Sequence, residues 1–379
     1  MNRVPIIDFV RFASIFVVMG GHFFPRWVAN EGYFPFVRQA ILDLFLNGAY
    51  GVTCFFVVSG FLITQMLAGS HPDFSRIDLK SFYVKRAARI FPLLALTVAT
   101  GFLLEHLKPF MAEGAQRYNS WDVDSGFNWK FWLSLGSFNF NWFLLSKKSA
   151  GVGMHWAILW SLAVEEQFYF CYPLVMKTLR TSRRVLVLLG GVVGFAVLFR
   201  IFCFYGLHLD LEWMHIATFA AFDQIAVGCA LYFIWERTRS FLAGKALLNL
   251  ALLALGISLS GGFYLFTSFD NGPQTTLAPT LLAVSCAMTI LGGLHISWLN
   301  SGWAEMLSWP GKLSYGCYLW HPTLMFLLIP LLGWMGGLRA LLFFLVFVWA
   351  FAHLSYKYFE LPLNNRVRAL FGLKPSRSL

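Results

Sequence analysis

The stretch Pro5-Ile-Ile-Asp8-Phe-Val-Arg11-Phe-Ala-Ser-Ile-Phe-Val-Val-Met-Gly-Gly-His22 decides the fold class. It is apolar enough to cross a bilayer, yet three ionisable residues interrupt it. Arg11 and His22 are separated by ten residues; at 3.6 residues per turn they fall within about 20° of one helix face and roughly 16 Å apart along it. Asp8 lies on the same side. Ionisable groups on one stripe of a hydrophobic helix are costly in lipid, so they belong in a protein interior or a wet cavity and mark a site. The plainer alternative is an Asp8–Arg11 pair that neutralises itself near the cytoplasmic edge and a His22 that only packs; both readings stand for His22. After His22 the chain reads Phe23-Phe24-Pro25-Arg26, with no small-residue cleavage site, which predicts a retained span and not a signal peptide.

The rest of the chain has the same character. Of its 379 residues 58% are hydrophobic and 12% charged, with mean hydropathy +0.64, against about 45–50% and about 25% for soluble domains. An ordinary soluble globule is excluded. No segment shows the dyad alternation of a barrel strand, so an all-α polytopic membrane protein is expected. The net charge of +11 does not point to nucleic acid, because Lys and Arg collect in short loops between spans, as the positive-inside rule requires. Cysteines 54, 171, 203, 229, 286 and 317 are scattered singly, which suggests neither a disulfide frame nor a metal site.

Ten apolar segments can be drawn, at 6–25, 48–68, 90–107, 156–176, 185–205, 217–235, 246–266, 276–296, 313–332 and 338–356. Each is long enough to span. The basic loops, such as Lys80 to Arg89, Lys177 to Arg184 and Arg237 to Lys245, then fall on one side with the C-terminal tail, so both termini are expected in the cytoplasm. The longest outer segment, 108–155, holds Glu113, Asp122 and Asp124 and an aromatic run from Phe127 to Phe143, which suits an interfacial helix better than an eleventh span. No internal repeat or inverted pair is visible. The expected organisation is one transmembrane domain over 1–362 and a short basic cytoplasmic tail over 363–379.

On that topology Trp160, Ser161, Glu165 and Glu166 enter from outside, with Glu165 roughly 13 Å deep at 1.5 Å per residue. Asp223 lies in the outer part of the sixth span. Ser314, Tyr315 and His321 rise from the cytoplasmic side. Glu165 and Glu166 diverge by about 100°, so at most one shares a small site with His22. A carboxylate beside a histidine serves general-base chemistry, and it serves a proton-coupled transporter equally. Ser59 and Gly60, in the run from Gly51 to Gly60, fit plain small-residue packing. Lys85, Arg86 and Arg89 sit at the cytoplasmic edge, with Arg86 and Arg89 one turn apart: a phosphate clamp, or an anchor for anionic headgroups, the commoner use of such residues.

Together these segments resemble the membrane acyltransferase-3 family. The resemblance is carried by Asp8-Phe-Val-Arg11 with ten residues to His22, Gly51 to Thr64, Phe82 to Pro92, Trp160 to Tyr169, Phe222 to Gly228, Leu313 to Pro322, and Tyr358 to Pro362. Each pattern is loose, and seven in order are specific. The resemblance implies transfer of an acyl group, typically acetyl, from cytoplasmic acyl-CoA (acetyl-CoA) to a hydroxyl of an extracytoplasmic glycan or lipid-linked saccharide. It implies a bacterial cytoplasmic (inner) membrane location and leaves room for a homodimer. It also implies His22 as the essential histidine, Arg11 as its partner, and Glu165 as the matching carboxylate. Two positions depart from the usual motif: Ile-Asp-Phe-Val-Arg-Phe replaces Leu-Asp-Gly-Leu-Arg-Gly, and Lys85-Arg86 replaces Arg-Arg. Some members carry a further extracytoplasmic hydrolase-like domain; a chain ending soon after its tenth span would transfer alone or hand on to a partner.

The expected mechanism uses His22, held by a carboxylate, as the base for the acceptor hydroxyl. An acyl-histidine relay is the variant for donor and acceptor on opposite sides. Arg11, Arg86 and Arg89, with Lys85, would hold the nucleotide phosphates, and Asp8, Ser59, Trp160, Glu166, Asp223, Tyr315 and His321 would support the site. The rival is a secondary transporter relaying protons through His22, Glu165 and Asp223, which the absence of inverted repeats and broken helices disfavours.

Overall fold

The computed structural model describes residues 4–27, 42–69, 73–107, 128–146, 153–268, 271–335 and 337–376. Among them there are helices and turns and no strand. The principal helices are α1 (Pro5–Trp27), α2 (Tyr50–Ala68), α3 (Leu79–Leu107), α4 (Trp129–Gly136), α5 (Phe140–Ser146), α6 (Leu159–Leu179), α7 (Ser182–Ile201), α8 (Thr218–Leu242), α9 (Ala246–Phe266), α10 (Ala278–Leu294), α11 (Gly302–Lys312), α12 (Ser314–Leu327), α13 (Gly337–Ser355) and α14 (Leu361–Leu370).

Among the described residues, seven helical stretches are long and apolar enough to cross a membrane: Pro5–Phe23, Tyr50–Ala68, Leu79–Leu107, Ser182–Gly206, Leu211–Leu242, Ala246–Phe266 and Gly337–Leu370. The three remaining expected spans are helical but fall short, each for a local reason. α6 carries Glu165, Glu166 and Lys177, α10 has 17 residues, and α12 stops at Leu327, with a separate helix resuming at Ile329–Met335. The Phe82–Pro92 segment is helical and continuous with the span after it, with Pro92 inside α3. In the long outer segment the aromatic run forms two short helices, α4 and α5, of 8 and 7 residues, too short to span. Phe131 anchors them, packed edge-on against Phe140, Phe143 and Trp156. Glu113, Asp122 and Asp124 lie outside the described residues.

Small residues decide which helices touch. A Cβ at Gly60 would collide with the Ile225 carbonyl, and one at Gly228 with the Val57 carbonyl. The backbones of α2 and α8 therefore meet directly, as small residues allow in membrane bundles. Gly60 faces α8, and its neighbour Ser59 is free to face the other way.

Candidate active site

Residues spaced four apart on α6 build one wall of a cleft. Ser161, Glu165 and Tyr169 share a helix face, and all three line a cavity of about 330 Å³ together with Ser59, Arg86, Arg89, Tyr315 and Tyr318. Glu165 Oε1 accepts from the Tyr169 hydroxyl at 2.6 Å and from Ser59 Oγ. Arg86 reaches across from α3. Its Nε and Nη2 donate to Glu166 Oε1 at 3.1 and 2.9 Å, Nη2 lies 3.2 Å from Glu165 Oε1, and the guanidinium rests over the Tyr169 ring at 3.5 Å. Adjacent carboxylates that diverge on their helix thus converge on one planar fork, which takes partners along two edges. Arg86, expected as half of a phosphate clamp, is paired here with these two carboxylates.

A second cavity, of about 300 Å³, adjoins the first. Arg11, Leu62, Arg89 and Tyr315 line both. Its wall carries Arg11, Arg89, Lys312 and Arg368 against Asp8 and Glu360. Arg11 is 3.4 Å from Asp8, and Lys312 is 3.5 Å from Glu305. Arg89 is exposed and has no ion-pair or hydrogen-bond partner among the described residues. An excess of cations around a chamber of this size suits a polyanion. Asn364, Arg368 and Ser376 also line it, so the segment expected to be a separate tail forms part of the chamber wall.

His22 lines neither cavity. Its ring lies 5.4 Å from that of His321, with planes 25° apart. His321 in turn lies 5.8 Å from the Tyr318 ring. The Tyr318 hydroxyl bonds Ser161 Oγ at 2.6 Å and the Ile158 carbonyl at 2.9 Å at the cleft wall. Arg11 and Tyr315 line the same cavities at one end, and the His22 and His321 rings lie together at the other, so α1 and α12 run side by side from the chamber past the cleft. Glu165 and Glu166 are bonded to Arg86, Ser59 and Tyr169, and not to His22. The direct His22–Glu165 pair is not formed.

The remaining expected residues divide. Tyr315 donates to the Ile90 carbonyl at 3.0 Å and lines both cavities. Lys85 lines neither. Trp160 packs edge-on against Phe56 at 6.1 Å. Asp223 belongs elsewhere: Arg200 from α7 holds both its carboxylate oxygens at 3.2 and 2.9 Å, and the Thr280 hydroxyl from α10 donates to Oδ2. Sequence reasoning misses Tyr169 and Tyr318 as cleft residues, although the four-residue spacing of Ser161, Glu165 and Tyr169 is a readable signal. Lys312 and Arg368 are hidden among residues that charge topology already explains. A carboxylate–imidazole pair does form elsewhere: Glu105 and His155, 3.0 Å apart, close the end of α3.

A family model described as acyltransferase domain matches residues 4–353, and the chain belongs to that family. It is similar to the peptidoglycan O-acetyltransferase OatA of Listeria monocytogenes, 28% identical over 384 residues, covering 96% of this chain and 56% of the relative. It is also similar to the O-acetyltransferase OatA of Staphylococcus aureus, 27% identical over 374 residues, covering 93% of this chain and 60% of the relative. The chain therefore spans less than two thirds of these relatives' length. No solved structure matches.

Proposed function

We propose that this integral membrane chain is an O-acyltransferase that moves an acyl group, acetyl by analogy with its relatives, from cytoplasmic acyl-CoA to a hydroxyl of an extracytoplasmic glycan such as peptidoglycan. The observation that carries the reading is the continuity of a cation-walled chamber with an apolar cleft through Arg11, Leu62, Arg89 and Tyr315. A donor with phosphates at one end and a thioester on a long arm fits that succession. Arg89, Arg368 and Lys312 hold the phosphates, the arm runs along α2 into the cleft, and the thioester meets the acceptor beyond Tyr318. The topology that goes with this reading has ten spans, both termini cytoplasmic, and the acceptor reached from the opposite face, in a bacterial inner membrane.

In the reaction the hydroxyl oxygen attacks the thioester carbonyl carbon while its proton passes to His22. The carbon–sulfur bond breaks, and the proton is returned to the departing sulfur. A hydroxyl is a weak nucleophile at neutral pH, so the base is the decisive group. The test is acetyl transfer by purified protein in lipid nanodiscs, supplied with labelled acetyl-CoA and a soluble peptidoglycan fragment. His22→Ala should lower the rate by about 10² to 10⁴ with donor affinity retained. Transfer at near wild-type rate by a well-folded His22→Ala protein would exclude His22 as the base, and no transfer or acetyl-CoA hydrolysis by wild type would exclude the activity.

A further inference from the structure

His321 is fully buried, and its environment fixes its chemistry. Nδ1 faces two backbone carbonyls, those of Tyr318 at 2.7 Å and Cys317 at 3.2 Å. A carbonyl only accepts, so Nδ1 carries the hydrogen and Nε2 carries the lone pair. Nε2 is buried and has no hydrogen-bond partner among the described residues. A lone pair withdrawn from water without a donor is a standing cost, and a packed core would place Leu or Phe there instead. The neighbour is His22, with ring centroids 5.4 Å apart and planes 25° apart. An N–H···N bond of about 2.9 Å between two imidazoles puts their centroids about 5 Å apart. The observed 5.4 Å between the two rings is close to that spacing.

We propose that His321 is the positioning residue of His22: its Nε2 accepts an N–H of the His22 ring, fixes the tautomer, and leaves the opposite nitrogen of His22 to take the hydroxyl proton. This rests on His22 being the base. His321 thus fills the role that orients the imidazole in other acid–base pairs, with a neutral ring braced by backbone carbonyls in place of a carboxylate. It gains and loses no proton itself. When His22 becomes cationic it has two N–H groups, and the one toward His321 keeps an acceptor.

The experiment compares His321→Leu, which removes the acceptor, with His321→Gln, whose side-chain oxygen reaches the place of Nε2. In nanodiscs, with acetyl-CoA and the peptidoglycan fragment, His321→Leu should lower kcat about 10²-fold, the scale of a misplaced catalytic group. KM for both substrates should stay within about twofold, and His321→Gln should recover at least about a tenth of the wild-type kcat. Equal losses in both variants, or an unchanged kcat in His321→Leu, would overturn the proposal. Should His321→Leu fail to fold, ¹⁵N spectra of histidine-labelled wild-type and His321→Gln protein decide: altered His22 nitrogen shifts support the bond, and unchanged shifts refute it. If His22→Ala is active, the base assignment fails. If His22→Ala is inactive and His321→Leu is not impaired, only the positioning role fails.

Discussion

Two of the arginine–carboxylate clusters inside this bundle differ sharply. In the first, Arg200 and Asp223 are both wholly inaccessible, and the guanidinium is fully engaged: besides Asp223 it donates to the Thr276 carbonyl at 2.9 Å, to the Ala220 carbonyl and to Thr280, and Thr280 also bonds Asp223. In the second, Arg86, Glu165 and Glu166 keep side-chain exposures of 18, 23 and 12%, and Arg86 and Glu165 stand on the wall of a cleft. The same residue types are a closed knot between α7, α8 and α10 in one place and an open surface in the other. A buried charge in a membrane helix therefore marks a site only when some of it still faces a cavity; when it is fully paired it marks a joint.

Three sets of substitutions would sharpen or break this contrast. Asp223→Ala leaves Arg200 charged, buried and unpaired, and should cost about 3–5 kcal/mol of stability, read as a lowered unfolding temperature in detergent. A normal melt would mean that the knot holds nothing. Glu165→Gln keeps hydrogen bonding to Ser59 and Tyr169 but weakens the hold on Arg86. Hydrogen bonds to charged groups are worth about 1.5–3 kcal/mol, so acyl transfer should fall about tenfold to 150-fold while the melt stays near wild type. Lost stability with retained activity would make the open cluster another joint. The smallest effect belongs to the chamber: Arg89→Ala and Arg368→Ala should each weaken acetyl-CoA binding about tenfold by the same scale, measured by titration calorimetry, whereas Lys85→Ala should not. Equal behaviour of all three would return the chamber to a lipid-headgroup anchor.

Local pairs are legible in the sequence, and pairs across the bundle are not. Asp8 and Arg11, three positions apart, meet as their spacing requires. Arg86 and Arg89 can be put on one helix face, but nothing in the spacing says that the first turns inward to α6 while the second faces the chamber. The partner of Asp223 is invisible because Arg200 lies 23 positions away, at the end of an apolar run, on a different helix. His22 falls at the far end of the Arg11 stripe, but its neighbour comes from α12, some 300 positions on. The helices themselves come from apolar length wherever few charges intervene. Where function places carboxylates, as in α6, that signal weakens because the same residues that make the cleft polar lower the helix's apolarity.

The Gly60–Gly228 contact has a mechanical consequence. With no side chains between them, α2 and α8 cannot slide or separate by small rotamer changes, so the side of the cleft carrying Val52, Phe56 and Ser59 is a fixed jaw. Whatever enters must be admitted by the other jaw, where α3 contains Pro92 and lacks one rung of its backbone ladder. On this geometry any widening of the cleft would fall to the α3 side, like a vice with one moving jaw: Arg89 would travel with an entering ligand, and Ser59 would stay where it is.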